Sequence, residues 1–211
     1  MGPPNSGKGT YGRLISGKLK ILHLETGKII KKMLSESIDD FGHEYTQEDF
    51  DNGLLAPDSV INKIVIKSIG EESRDILLDG YPRDIEQISF LLENFNKEQI
   101  FFIILKVSDG LLIERAKNRR YCRDCQKVYA LKNPNMQPES DGSCVECGGE
   151  LYHRKDDDET VARKRIKIYN DNFEEIYRFI KGNLLENFIM EYEGNDIHYA
   201  VKKLLGEIKS K

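Results

Sequence analysis

Residues 2–8, Gly2-Pro3-Pro4-Asn5-Ser6-Gly7-Lys8, follow the spacing G-x4-G-K and run straight into Gly9-Thr10. Few short stretches restrict a fold more. Its backbone N–H groups can point into one concave nest, and such nests cradle phosphate oxygens at the N-terminus of a helix. The arrangement needs a helix after the loop and ordinarily a β-strand before it, which commits the surrounding chain to an α/β architecture. Here only Met1 stands before the loop.

The rest of the chain reads the same way. Helices are expected at 9–19, 27–36, 46–52, 58–70, 85–94 and 109–120, with Pro57 marking one start. Strands are expected at 21–24, 75–78, 100–105 and 187–192, and a closing helix at 196–208. A long amphipathic helix starts near Asp158, with Ile166, Tyr169, Phe173, Ile176, Tyr177 and Ile180 at helical spacing. Alternating strands and helices imply a mostly parallel sheet covered on both faces. The 211 residues suit one medium-sized α/β domain with room for an insertion.

Composition narrows the function classes. With 32% charged and 39% hydrophobic residues the chain reads as soluble and globular, and its longest apolar run, 100–105, is too short to span a bilayer. No leader precedes the loop, so a cytoplasmic location is expected. A net charge of −4 argues against general nucleic-acid binding, although basic residues gather at 115–123 and 163–167. That points to a small polyanion instead. Met-Gly-Pro-Pro-Asn-Ser also fits the literal N-myristoylation pattern, but the phosphate loop explains the same residues better.

All four cysteines lie in a segment without helical period, at roughly 121–153. Cys122, Cys125, Cys144 and Cys147 are spaced C-x2-C-x18-C-x2-C, with Gly142, Gly148 and Gly149 supplying tight turns. Two such knuckles can bring four thiolates to the corners of a tetrahedron, the donor set of a structural Zn²⁺. Disulfides fit less well in a chain without signs of secretion. A closed four-thiolate site leaves no position for substrate, so its role is stability.

Two further stretches carry chemistry. In ILLDGYPR, residues 76–83, a buried strand ends at Asp79, where a carboxylate could hold Mg²⁺ through water. Arg83 would follow at the carboxyl edge of the sheet, where open α/β folds bind ligands. On either side of the cysteine segment stand Arg115, Arg119, Arg120, Arg154 and Arg165. If that segment is a lid, its closure sweeps arginines over bound phosphates, which is what phosphoryl transfer asks of a protein.

Together these features resemble adenylate kinase, in the long form whose lid carries zinc. The resemblance rests on GPPNSGKGT, Thr26-Gly27, LLDGYPR followed by Gln87, the arginine pairs and Asp156-Asp157. It implies a P-loop NTPase-type parallel sheet, a helical NMP-binding insertion and a zinc-ribbon-like lid. The core would be 1–24, 55–120 and 155–211, the NMP-binding domain 25–54 and the lid 121–154. The reaction implied is reversible transfer of the terminal phosphoryl of Mg-ATP to AMP, giving two ADP, by a monomer without nucleic-acid or membrane partners.

By position, the resemblance assigns Asn5, Ser6, Gly7, Lys8, Gly9 and Thr10 to the ATP phosphates, with Arg115, Arg119, Val128 and Tyr129 also on ATP. Thr26, Gly27, Lys31, Ala56, Gly80, Arg83, Gln87, Arg154 and Arg165 fall to AMP. Lys8, Arg83, Arg119, Arg120, Arg154 and Arg165 would serve the transferring phosphoryl, and Asp156 and Asp157 would pair with arginines on lid closure. Gln87, able to donate and accept, suits an adenine edge.

There are departures from the pattern. Lys28 stands where the family has an acid, Lys31 where it has arginine, and Asn5 where glycine is usual. Lysine lacks the bidentate fork of guanidinium, so weaker AMP binding is expected. Asparagine tolerates the left-handed backbone, so the nest can survive. In the resembling fold an apolar strand precedes the loop, and the expectation is that the functional protein begins upstream or that this form is unstable and poorly active. The alternatives are a kinase for another nucleoside monophosphate, a non-catalytic nucleotide sensor, and a nucleic-acid-binding zinc ribbon.

Overall fold

A computed structural model describes residues 1–36, 45–52, 54–70, 72–139, 141–183, 189–193, 201–203 and 205–206. Helix α1, Lys8–Leu19, grows directly out of the glycine loop. Gly7 caps its start with φ 96°, and Lys20 ends it at φ 59°, returning its N–H to the Ser16 carbonyl. Strand β1, Leu22–Glu25, and helix α2, Thr26–Ser35, follow without a break. Helix α3, Gln47–Asp51, is set by a reciprocal cap between Thr46 and Asp49. Helix α4 occupies Asp58–Gly70, with the Pro57 carbonyl accepting from the Val60 and Ile61 N–H groups.

Strand β2, Ile76–Asp79, leads through a turn with a cis Tyr81–Pro82 peptide into helix α5, Ile85–Asn94. The Asp84 carboxylate caps that helix by accepting from the Gln87 N–H at 2.8 Å. Strand β3 spans Phe102–Lys106 and helix α6 Asp109–Asn118. Beyond them a small antiparallel sheet forms from β4, Arg119–Cys122, β5, Val128–Ala130, and β6, Leu151–Tyr152, in the order β5-β4-β6. Helix α7, Glu159–Asn183, and strand β7, Ile189–Glu193, come last. Of the closing helix expected at 196–208, only short helical pieces at 201–203 and 205–206 lie within the described residues.

The expected parallel pairing is present. β1 runs parallel to β2, with Leu22 opposite Ile76 and Glu25 opposite Asp79, and β3 runs parallel to β7. These are two separate two-stranded ribbons among the described residues. Met1 bonds to β3: its amino group donates to the Ile103 carbonyl, and its carbonyl accepts from the Leu105 N–H at 2.9 Å.

One expected boundary moves. The helix predicted over 109–120 stops at Asn118, and Arg119-Arg120 open a strand instead. The Asn118 carbonyl accepts from the Leu131 N–H at 2.9 Å, so the β4–β5 ladder captures the chain there.

Apolar burial holds the pieces together. Ile30, Met33, Val60, Ile61, Val65, Tyr81 and Leu91 form a core joining α2, α4 and α5. Ile88, Phe102, Ile176 and Ile180 pin α5 and α7 to β3. Tyr11, Ile15, Leu105 and Val201 pack α1 across the sheet. The Tyr169, Phe173 and Tyr177 rings stack along α7 at 5.2 and 5.6 Å. No described helix is long and apolar enough to cross a membrane.

Candidate active site

The carboxyl ends of β1 and β2 deliver Glu25-Thr26 and Asp79-Gly80 to the mouth of the glycine loop. A cleft of about 2270 Å³ opens there, lined by the loop, α2, the turn after β2, Arg115, Arg119, Arg154 and Arg165. Drug-sized ligands occupy pockets of about 300–1,000 Å³, so this space has room for more than one.

Loop geometry follows from its residue types. Asn5 adopts φ 65°, the left-handed conformation expected of it, and Gly7 φ 96°. The Asn5 amide nitrogen, its amide oxygen and the Ser6 hydroxyl are buried without hydrogen-bond partners. Lys8 Nζ donates to the Gly2 and Pro3 carbonyls, each at 2.7 Å. Burial lowers its pKa to about 7, against an opposing pull from Asp79. Arg115 Nη1 braces the loop by donating to the Ser6 carbonyl at 3.1 Å.

Asp79 is mostly enclosed. Burial pushes its carboxyl up, but His23 and Lys8 outweigh this and hold it below the ordinary aspartate value. One residue on, Gly80 takes φ 86°, and a Cβ there would lie 2.7 Å from Thr26 Oγ1 and 3.2 Å from Arg83 Nη2. Only glycine allows strand, threonine and arginine to meet so closely. Thr26 Oγ1 donates to the Asp79 carbonyl at 3.1 Å, and Arg83 Nε to the Gly80 carbonyl at 2.7 Å. Burial and Arg165 lower the Arg83 pKa.

Asp156 and Asp157, almost fully buried, organise the other arginines. Asp157 accepts from Arg119 Nε at 2.8 Å and from Nη2 of the same guanidinium, a bidentate pair. Asp156 accepts from Arg154 Nη2 at 2.9 Å and Arg165 Nη1 at 2.7 Å. Tyr121, absent from the sequence-derived set, lies between two of these cations: Arg119 and Arg154 sit 5.3 and 5.0 Å from its ring centroid. Its place two residues after Arg119 on one strand was the available signal.

Not every expected residue meets the cleft in the same way. Arg120 does not line it; its Nη1 donates to the Lys117 and Arg119 carbonyls. Gln87 is 2% exposed, with Nε2 donating to Asp58 Oδ1 at 2.5 Å and Oε1 accepting from the Arg83 N–H at 2.8 Å. Asp58 was missed because a helix-starting acid gives no hint of a glutamine 29 residues away. Gly27, Lys28, Lys31, Ala56 and Val128 line the cleft, and Lys28 also donates to Glu25 Oε1 at 2.6 Å.

In the small sheet the cysteines converge. Cys122 and Cys147 Sγ are 3.4 Å apart, and Cys125 and Cys144 Sγ 3.5 Å, with all four free thiols in one cluster. Thiolates on a tetrahedral Zn²⁺ at about 2.3 Å stand roughly 3.8 Å from one another, so the donor set fits that ion. Gly148 takes φ 73°, and a Cβ on Gly149 would meet Cys122 Sγ at 2.9 Å. Tyr129 is 1% exposed; its hydroxyl lies 3.0 Å from Cys144 Sγ and accepts from the Val145 N–H at 3.0 Å. The ring thus supports the second cysteine knuckle.

Comparison with known proteins agrees with this geometry. A family model described as Adenylate kinase matches residues 1–183. A protein named adenylate kinase from Thermosipho melanesiensis is 34% identical, covering 99% of this chain and 97% of its own length. Similar proteins of that name come from Petrotoga mobilis, 33% identical over 100% of this chain and 96% of its own, and Clostridium tetani, 33% identical over 99% and 97%.

Proposed function

This chain belongs to the adenylate kinase family, and on that premise we propose that it transfers the terminal phosphoryl group of ATP to AMP, reversibly giving two ADP. The observation that carries the reading is the convergence on one cleft of the glycine loop and a set of cations. Asn5, Gly7, Lys8 and Thr10 line that cleft together with Arg83, Arg119, Arg154 and Arg165.

The loop from Asn5 to Thr10 receives the ATP phosphates, and Lys8 exchanges its loop carbonyls for phosphate oxygens. Arg115 keeps the loop in shape from behind. Arg83, beside Gly80 and Thr26, grips the AMP phosphate. Arg119, Arg154 and Arg165, aimed by Asp157 and Asp156, neutralise the equatorial oxygens as the group passes between nucleotides. AMP phosphate is already ionised near neutral pH, so no general base is needed. Gln87 gives up its bond to Asp58 when it turns to an adenine edge. Asp79 would hold, through water, the Mg²⁺ of Mg-ATP, which would supply positive charge against the phosphates. The four cysteines would hold a structural Zn²⁺, and Arg120, on the far face of β4, belongs to that unit.

Every residue in this reading comes from one chain, so a monomer suffices, and the cytosol supplies both nucleotides and reduced thiols. The test is disproportionation: protein given ADP and Mg²⁺ alone should form ATP and AMP in equal amounts. Nucleotide binding without turnover would instead support a sensor. Faster turnover with GMP, CMP or UMP as acceptor would move the assignment to another nucleoside monophosphate.

A further inference from the structure

Behind the phosphate loop, three metal-competent side chains meet. His23 lies on β1 between two acids: its Nε2 is 3.5 Å from Asp79 Oδ2 and its Nδ1 3.9 Å from Glu25 Oε1. One potential ligand atom from each residue falls within 4.8 Å of the others. The imidazole side chain is only 9% exposed, and its Nε2 is buried with no hydrogen-bond partner. At 3.5 Å the nitrogen is too far from the Asp79 oxygen for a good N–H···O bond of about 2.7–3.2 Å. It matches two ligands of one cation, which at bonds of about 2.0–2.2 Å stand some 3–4 Å apart.

Local packing fixes the imidazole in place. A Cβ on Gly12 would come within 2.3 Å of His23 Nε2, so the imidazole lies directly against the backbone of α1. A Cβ on Gly9 would make only ordinary contacts, with Asp79 Oδ2 at 3.5 Å, Glu25 Oε2 at 3.6 Å and Arg13 Nη1 at 3.8 Å. Lys28 takes only Oε1 of Glu25, which leaves Oε2 facing the same side as the Asp79 carboxylate.

We infer that His23, Glu25 and Asp79 form a second metal site, which takes a first-row divalent cation in the absence of nucleotide. One imidazole and two carboxylates favour ions such as Mn²⁺ or Zn²⁺ over Mg²⁺, which prefers oxygen donors alone. The site is distinct from the four lid thiolates, and it takes from the phosphoryl-transfer reading only the position of Asp79.

Nucleotide-free protein carrying one equivalent of Zn²⁺, which the four thiolates take first, and freed of excess metal is titrated with Mn²⁺ while free ion is followed by electron paramagnetic resonance. Mn²⁺ is a poor match for thiolates, so the lid stays silent. Wild type should bind one Mn²⁺ per chain, and His23→Gln and Glu25→Gln should each bind at least about tenfold more weakly. Absence of Mn²⁺ binding in wild type, or wild-type affinity in either folded variant, overturns the site. Should His23→Gln fail to fold, the partly exposed Glu25 supplies the reading. ADP disproportionation by the same wild-type preparation separates the two ideas: turnover without a Mn²⁺ site rejects this inference alone, and a Mn²⁺ site without turnover rejects only the reaction.

Discussion

Enclosed by loop carbonyls, the Lys8 ammonium titrates at about 7, because burial opposes its charge more than Asp79 favours it. In the unfolded chain the same group titrates at about 10.5. Between those values the unfolded state binds more protons than the folded one, so stability rises with pH across that window and the burden is greatest below it. Lys8→Met removes the buried charge. Its melting temperature relative to wild type should therefore be highest near pH 7 and should decline towards about pH 10; a difference independent of pH would contradict the burial of that charge. Lys31 makes a second prediction. It lines the cleft with a point charge where the family pattern has a fork, so Lys31→Arg should lower the KM for AMP several-fold. An unchanged KM would remove Lys31 from the AMP phosphate.

Strand alternation explains why adjacent arginines part company. On β4, Arg119 and Tyr121 point to one face and Arg120 and Cys122 to the other, so one arginine joins the phosphate side and its neighbour the cysteine side. The pattern RRYC was visible in the sequence, but a helix running to residue 120 would have put both arginines on one helical surface. The ladder to β5 decided otherwise, because a strand with two partners satisfies more backbone groups than two extra helical residues would. Asp157 is wholly buried against Arg119, which retains some exposure. Asp157→Ala should cost up to about 3 kcal/mol in denaturant unfolding and lower kcat, since Arg119 loses its aim. The lid offers a parallel test. Removing metal with a chelator should lower the melting temperature and increase amide exchange across β4, β5 and β6, while α1 and β2 keep their protection. Equal exchange with and without metal would show that the four thiols hold nothing structural.

For the whole molecule, two ligands in one cleft predict linked stabilisation. ATP and AMP analogues that cannot react should each raise the melting temperature, and both together more than either, because each binds only the folded state. If one displaces the other, the cleft holds a single nucleotide and the two-substrate reading fails. The order of helices and parallel strands, the phosphate loop with its left-handed Asn5 and the two cysteine knuckles were legible in the chain. Each is decided within a few residues by backbone preference, periodicity or ligand spacing, and local free energy is enough to specify it. The partnerships were not legible. That Gln87 would bond Asp58, that Tyr129 would support Cys144, and that His23 would sit between Glu25 and Asp79 all depend on strands and helices distant in sequence. Sequence determined which polar groups exist; only packing decided which of them share a buried space, and burial makes each such pairing strong or costly.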